Sequence, residues 1–171
     1  MVKPPCFYAC GSKNEAVVRY LVEQHGANVN TTNKYGETPL FKACEKGNET
    51  TIKYLIEHGA NINKAVDYKG FDVEKSHGST PLFNACRNGN EAVVKLLVEH
   101  GANINKEDSI GETPLFNACK YGKKELIKYV VEHGADINKV NKYGLTPLFY
   151  ANKRRNQIII QYLIDHGAIT K

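Results

Sequence analysis

Histidine and cysteine are the side chains here best suited to bind a metal or attack an electrophile, and their spacing decides whether they can. His25, His58, His100, His133 and His166 each precede a glycine in phrases such as EHGANIN. Cys10, Cys44, Cys86 and Cys119 each follow an alanine in phrases such as LFKAC. A tetrahedral metal shell or a catalytic centre needs unlike groups converging on one point. This chain instead deals out the same groups at a regular interval, Ala85 to Ala118 to Ala151 being 33 residues each time. One histidine per interval does not close a metal shell. The five that precede glycine are placed to bond the last carbonyls of a helix. His77 lies apart and reads as a solvated loop residue. Cys6 with Cys10 is the only ligand-like local pair. The cysteines read as small buried apolar groups of a reduced, intracellular protein, since equivalent positions in stacked units lie too far apart for a disulfide. No glycine-rich phosphate loop, nucleophile elbow or histidine pair flanking a glutamate is present. The expectation is no catalytic residue, no cofactor and no metal.

The elements that carry these groups recur. TPLFKACEKGN, TPLFNACRNGN, TPLFNACKYGK and TPLFYANKRRN begin at Thr38, Thr80, Thr113 and Thr146, with a degraded PPCFYACGSKN at Pro4. Each phrase is followed by an apolar stretch and a close such as EHGANIN, the last being DHGAIT. Each unit predicts two helices. In Thr80-Pro81 the threonine is placed to cap free amides, and proline at the first helical position lacks the amide that would be left unbonded. Leu82, Phe83, Ala85 and Cys86 form one apolar stripe, Gly89 stops the helix and Asn90 caps the next. Val93, Val94, Leu96, Leu97 and Val98 are the buried side of the second helix. Glu15 with Arg19, Glu49 with Lys53 and Glu91 with Lys95 stand in the favoured i,i+4 order. Polar bridges such as Asn33-Lys34-Tyr35-Gly36 have hairpin chemistry. No unit can bury its own stripe alone, so stability requires stacking.

On these phrases the unit resembles an ankyrin repeat: the turn NKYGETPL, the small pair Ala43-Cys44 and the close HGANIN. The resemblance covers nearly the whole chain. It implies an all-α solenoid of stacked helix-turn-helix units with β-hairpin loops, in five repeats near 1–32, 33–65, 66–107, 108–140 and 141–171. One departure is systematic. Phe41, Phe83, Phe116 and Phe149 stand where the family usually has histidine, replacing its side-chain hydrogen bonding with apolar burial. The resemblance also makes Asn63 and Asn105 candidates for asparaginyl hydroxylation.

The resemblance implies a non-catalytic protein-binding module whose partner lies on a curved inner face of hairpin tips and first helices. The differences between units concentrate there, at Tyr8, Lys34, Tyr35, Glu37, Lys42, Lys46, His77, Arg87, Ile110, Glu112, Lys120, Tyr121, Lys142, Tyr143, Tyr150 and Arg154, all but the two glutamates being candidate partner contacts. Tyrosine and arginine are enriched in binding hot spots. The net charge is +5, and cations gather on the first-helix side while many acids lie on the second helices. The inner face therefore reads as basic and suited to an acidic protein segment. Nucleic acid or another acidic ligand on the same face is one alternative, since tyrosines beside lysines stack bases. A structural spacer within a larger protein is the other. No apolar run is long enough to span a bilayer, and the expectation is a cytoplasmic monomer.

One stretch breaks the period. Asn63 to Thr80 carries nine residues more than its counterparts, so an insertion lies within 64–79. Two turns compete for the hairpin there, DYKGF (67–71) and KSHGS (75–79). The other belongs to an extended finger in which Tyr68 and Phe71 contribute partner contacts, a self-packed excursion being the alternative. At the far end, Ile158 replaces a glutamate, threonine or alanine of other units, so either the last unit packs it differently or the array continues.

Overall fold

The computed structural model describes residues 5–12, 14–67 and 77–170. Its elements are ten helices in five antiparallel pairs: α1 (Pro5–Ala9) with α2 (Glu15–His25), α3 (Pro39–Lys46) with α4 (Glu49–Glu57), α5 (Pro81–Asn88) with α6 (Glu91–Glu99), α7 (Pro114–Tyr121) with α8 (Lys124–Glu132), and α9 (Pro147–Lys153) with α10 (Gln157–Asp165). First helices pack side by side in the order α1, α3, α5, α7, α9, and second helices in the order α2, α4, α6, α8, α10. No strand occurs among the described residues. The expected all-α solenoid is what the structure shows.

The helices begin and end largely as their sequences require. Proline opens α3, α5, α7 and α9, and Gly47, Gly89 and Gly122 close the first three in the left-handed conformation. The side chains of Asn48, Asn90 and Asn156 accept from the amides three residues on, capping α4, α6 and α10. The threonine caps are not uniform. Thr38 and Thr146 accept from Phe41 and Phe149, whereas the buried hydroxyls of Thr80 and Thr113 have no partner. At Thr113 the Phe116 amide donates to the backbone carbonyl instead. Of the three i,i+4 pairs, only Glu15 and Arg19 meet, at 2.6 Å. Lys95 lies 5.7 Å from the centre of the Tyr129 ring.

Leu40, Leu82, Leu115 and Leu148 line one continuous core with the alanine-cysteine pairs and the apolar sides of the second helices. Phe41, Phe83 and Phe116 are buried, while Phe149, on α9 with no further first helix packed against it among the described residues, is 42% exposed. Ile158 is 60% exposed. A second tie between neighbours runs along the closing phrases. Asn30, Asn63, Asn105 and Asn138 each donate Nδ2–H to the glycine carbonyl of the next pair, at Gly59, Gly101, Gly134 and Gly167. Each also accepts, at 2.7–2.9 Å, the amide two residues beyond that glycine.

The hairpins are backbone-paired turns. Asn33, Asp108 and Asn141 each bond the backbone of a residue four positions on, and each side-chain Oδ1 accepts two amides within the same turn. In the long connection Val66 takes that place, pairing with Ser79 at 2.9 Å and accepting the Gly78 amide at 2.9 Å. The glycine and closing residue thus come from the second candidate turn, and the opening residue precedes the first. Residues 67–77 stand where the other hairpins have two. Valine has no side-chain acceptor with which to lock a tight tip, which is consistent with the added length. Successive tips are tied by single backbone bonds, Ser109 N–H to His77 O at 3.0 Å and Lys142 N–H to Ile110 O at 2.9 Å. The approach is close enough to require glycine: a Cβ on Gly36 would lie 2.6 Å from the Asp67 amide nitrogen, and one on Gly78 2.7 Å from that of Ser109.

Candidate functional site: the face of tips and first helices

The histidines and cysteines are structural. His58, His100, His133 and His166 place Nδ1 2.7–2.8 Å from the carbonyl four residues earlier, closing the second helices. That bond requires a proton on Nδ1. Tyr54, Tyr129 and Tyr162 lie against His58, His133 and His166, their ring centres 3.9–4.0 Å apart. His25 instead meets Tyr20 edge-on. All five cysteines are buried and free. Burial pushes the Cys44, Cys86 and Cys119 thiols well above their ordinary range, Cys119 to about 12, so they stay protonated and unreactive. The hydrogen bond with Cys6, and then burial, push Cys10 up as well. No group of three or more potential metal ligands occurs among the described residues, and no helix there is long and apolar enough to cross a membrane.

Tips and first helices do converge. A cavity of about 200 Å³ is lined by Ser79, Asp108, Ile110 and Glu112 from the tip side, and by Asn84, Arg87, Asn117, Lys120 and Tyr121 from α5 and α7. Phe41 and Phe83 contribute apolar wall. A neighbouring cavity is lined by Lys120, Tyr150, Lys153 and Arg154. Of the residues singled out from the sequence, Arg87, Ile110, Glu112, Lys120 and Tyr121 therefore line one cavity, and Tyr150 and Arg154 adjoin it through Lys120. Lys34 lies in a separate cavity beside Asp67. Tyr8, Tyr35, Tyr121 and Tyr143 are all exposed, Tyr143 most at 70%, and His77 is half-buried at its tip. Tyr68 and Phe71 lie outside the described residues.

The charge of this face is more neutralised than cation placement alone implies. Lys42 and Lys46 both bond Glu45, at 2.7 and 3.0 Å. Burial pushes the Glu45 carboxyl up, but the bonds from the two lysines outweigh it and hold the group below its ordinary range. Lys120 is bound by Glu112 at 2.5 Å, and its ammonium also lies 4.6 Å from the centre of the Tyr150 ring. Arg154 donates from Nε to the Lys120 carbonyl. Arg87, Lys142, Lys153, Arg154 and Arg155 make no salt bridge with described residues.

Glu112 is the largest departure from expectation. Read as a variable tip residue, it is 2% exposed. Its Oε1 accepts from the Tyr150 hydroxyl at 2.9 Å and Asn141 Nδ2 at 3.1 Å, and its Oε2 from Lys120. Burial, then the bond to Glu112, raise the Tyr150 phenol to about 12. Burial also raises Asp108, against the two amides bonded to its carboxylate. Glu37 occupies the same sequence position without this burial, so the motif alone cannot separate them.

A family model described as ankyrin repeats matches the sequence in three copies, over residues 3–66, 64–141 and 100–171. The chain belongs to the ankyrin-repeat family. Ankyrin repeats are generally protein–protein interaction modules and are typically non-catalytic. No curated protein matches the chain.

Proposed function

We propose that this ankyrin-repeat chain is a non-catalytic interaction module, acting as a cytoplasmic monomer, that holds an extended acidic segment of another protein on the face of tips and first helices. The observation that carries this reading is the cavity where Asp108, Ile110 and Glu112 meet Asn84, Arg87, Asn117, Lys120 and Tyr121. Side chains from two helix pairs and their tips are presented together there, as a recognition surface requires. The exposed tyrosines Tyr8, Tyr35, Tyr121 and Tyr143 supply large, stiff contact area. Arg87, Lys142 and Arg154 supply charge not neutralised by neighbouring carboxylates. Lys42, Lys46 and Lys120 contribute less charge, since each is already paired with a glutamate, and Lys120 lines the cavity.

The test is site-specific photo-crosslinking in cell lysate, with the photoreactive residue at Tyr121 on the proposed face or at Tyr20 on α2. Tyr20 is 57% exposed, so access does not bias the comparison. Adducts with a discrete protein from Tyr121 and none from Tyr20 are expected, weakened when Tyr35 and Tyr143 are changed to alanine. Equal adducts, or adducts from Tyr20 alone, refute the assignment of the face. Adducts that disappear on nuclease treatment transfer it to nucleic acid.

A further inference from the structure

The cavity between α5 and α7 contains a buried donor with no acceptor. Asn84 is 3% exposed, and its Nδ2 has no hydrogen-bond partner. Its Oδ1 is occupied, accepting from Arg87 Nη2 at 2.7 Å. Of the corresponding positions in the other pairs, Lys42 bonds Glu45 and Tyr150 bonds Glu112, while Asn117 is only partly buried and makes no hydrogen bond with described residues. A buried amide donor left unbonded costs roughly 1–3 kcal/mol. Such a group in a native structure calls for an explanation.

The surrounding groups define the ligand. Arg87 is exposed, makes no salt bridge with described residues, and is oriented by its bond to Asn84. The two acids of the cavity are engaged elsewhere. Asp108 Oδ1 accepts the amides of Ile110 and Glu112, and Glu112 is bound by Lys120, Asn141 and Tyr150. On the opposite wall the Asn117 amide and the Tyr121 hydroxyl make no hydrogen bond with described residues. A volume of about 200 Å³ admits a side chain, whereas a helix with its side chains is about 10 Å across and does not enter.

Resting on the proposed function, we propose that this cavity is the anchor pocket of the module and takes one aspartate or glutamate side chain from an extended partner segment. The guanidinium of Arg87 binds the carboxylate, and Asn84 positions that guanidinium through its Oδ1. A carboxylate fits better than a carbonyl because the planar guanidinium fork matches both of its oxygens. Asn117 and Tyr121 add donors at the rim.

Two fluorescent nine-residue peptide pools with uncharged flanks, one with central glutamate and one with central glutamine, are titrated into the full chain by anisotropy. The glutamate pool is expected to bind at least tenfold more tightly. Arg87→Ala and Asn84→Leu should each abolish that preference, with Arg87→Lys retaining part of it. Thermal melts separate binding from folding. Asn84→Leu removes an unbonded buried donor at similar volume, so it should melt no lower than the wild type while losing the preference. Equal binding of the two pools, no binding of either, or a preference kept in both variants overturns the pocket. The broader reading fails separately, through crosslinks at Tyr20 in place of Tyr121.

Discussion

Replacing Glu112 with alanine tests whether the last two helix pairs are joined by a polar network as well as by their apolar stripe. The carboxylate is almost fully buried and accepts from Lys120, Asn141 and Tyr150, the last two lying in the neighbouring pair. Hydrogen bonds to charged groups contribute about 1.5–3 kcal/mol each. Taking the lower end for Asn141 and Tyr150 places the loss near 3 kcal/mol. The Lys120 pair adds less than a fully buried pair, because the lysine side chain is 29% exposed and water solvates the released ammonium. A total of about 3–4 kcal/mol follows. Glu112→Gln keeps an acceptor for Asn141 and Tyr150 and should lose only about 1–2 kcal/mol. The chain has no tryptophan, so urea unfolding is followed by far-UV circular dichroism. With a slope of about 2–3 kcal/mol per molar, alanine should lower the midpoint by about 1–2 M and glutamine by half that or less. A double-mutant cycle with Tyr150→Phe should return a coupling of about 1 kcal/mol. A midpoint shift under about 0.3 M for alanine, or equal shifts for alanine and glutamine, would refute the network argument.

Three further outcomes follow from other sites. Arg155 has φ of 54° where the equivalent positions carry Gly47, Gly89 and Gly122; relief of about 1–2 kcal/mol of left-handed strain, partly offset by glycine's greater entropy when unfolded, should leave Arg155→Gly about 0.5 kcal/mol more stable. That is about 1–2 °C in melting temperature, and a lower melting temperature would count against the strain. Asn105→Ala removes two 2.8 Å bonds to the next pair and should lower stability by about 1–2 kcal/mol, near the low end per bond because water reaches both backbone groups; no change in the urea midpoint would show that the asparagine ladder is dispensable there. Tyr150 is raised to about 12 from an unfolded value near 10. The folded state therefore retains the proton longer, so this contribution is complete below pH 10 and is lost as pH rises from 10 to 12. Tyr150→Phe should flatten that part of the alkaline stability profile, and an unchanged slope would contradict the raised value.

What the sequence determined by itself is local. Proline before an apolar stripe, asparagine caps and the alanine-cysteine pairs act within three or four residues, so α3 to α10 and their buried sides follow from spacing alone. The tertiary structure decided which of two equal motifs is buried and which charges remain unpaired. Glu37 and Glu112 share a motif, yet only Glu112 is enclosed, because Asn141 and Tyr150 of the next pair close over it. Lys42 and Arg87 both looked like free cations of the inner face; a glutamate three residues on neutralises the first, and an asparagine three residues back orients the second. The long connection contained two plausible turns, and the structure pairs Val66 with Gly78 and Ser79 across both. The enclosure of Glu112 depends on groups 29 and 38 residues further along the chain. Stacking brings them within bonding distance, and periodicity shows that they will be neighbours without showing which donor finds which acceptor.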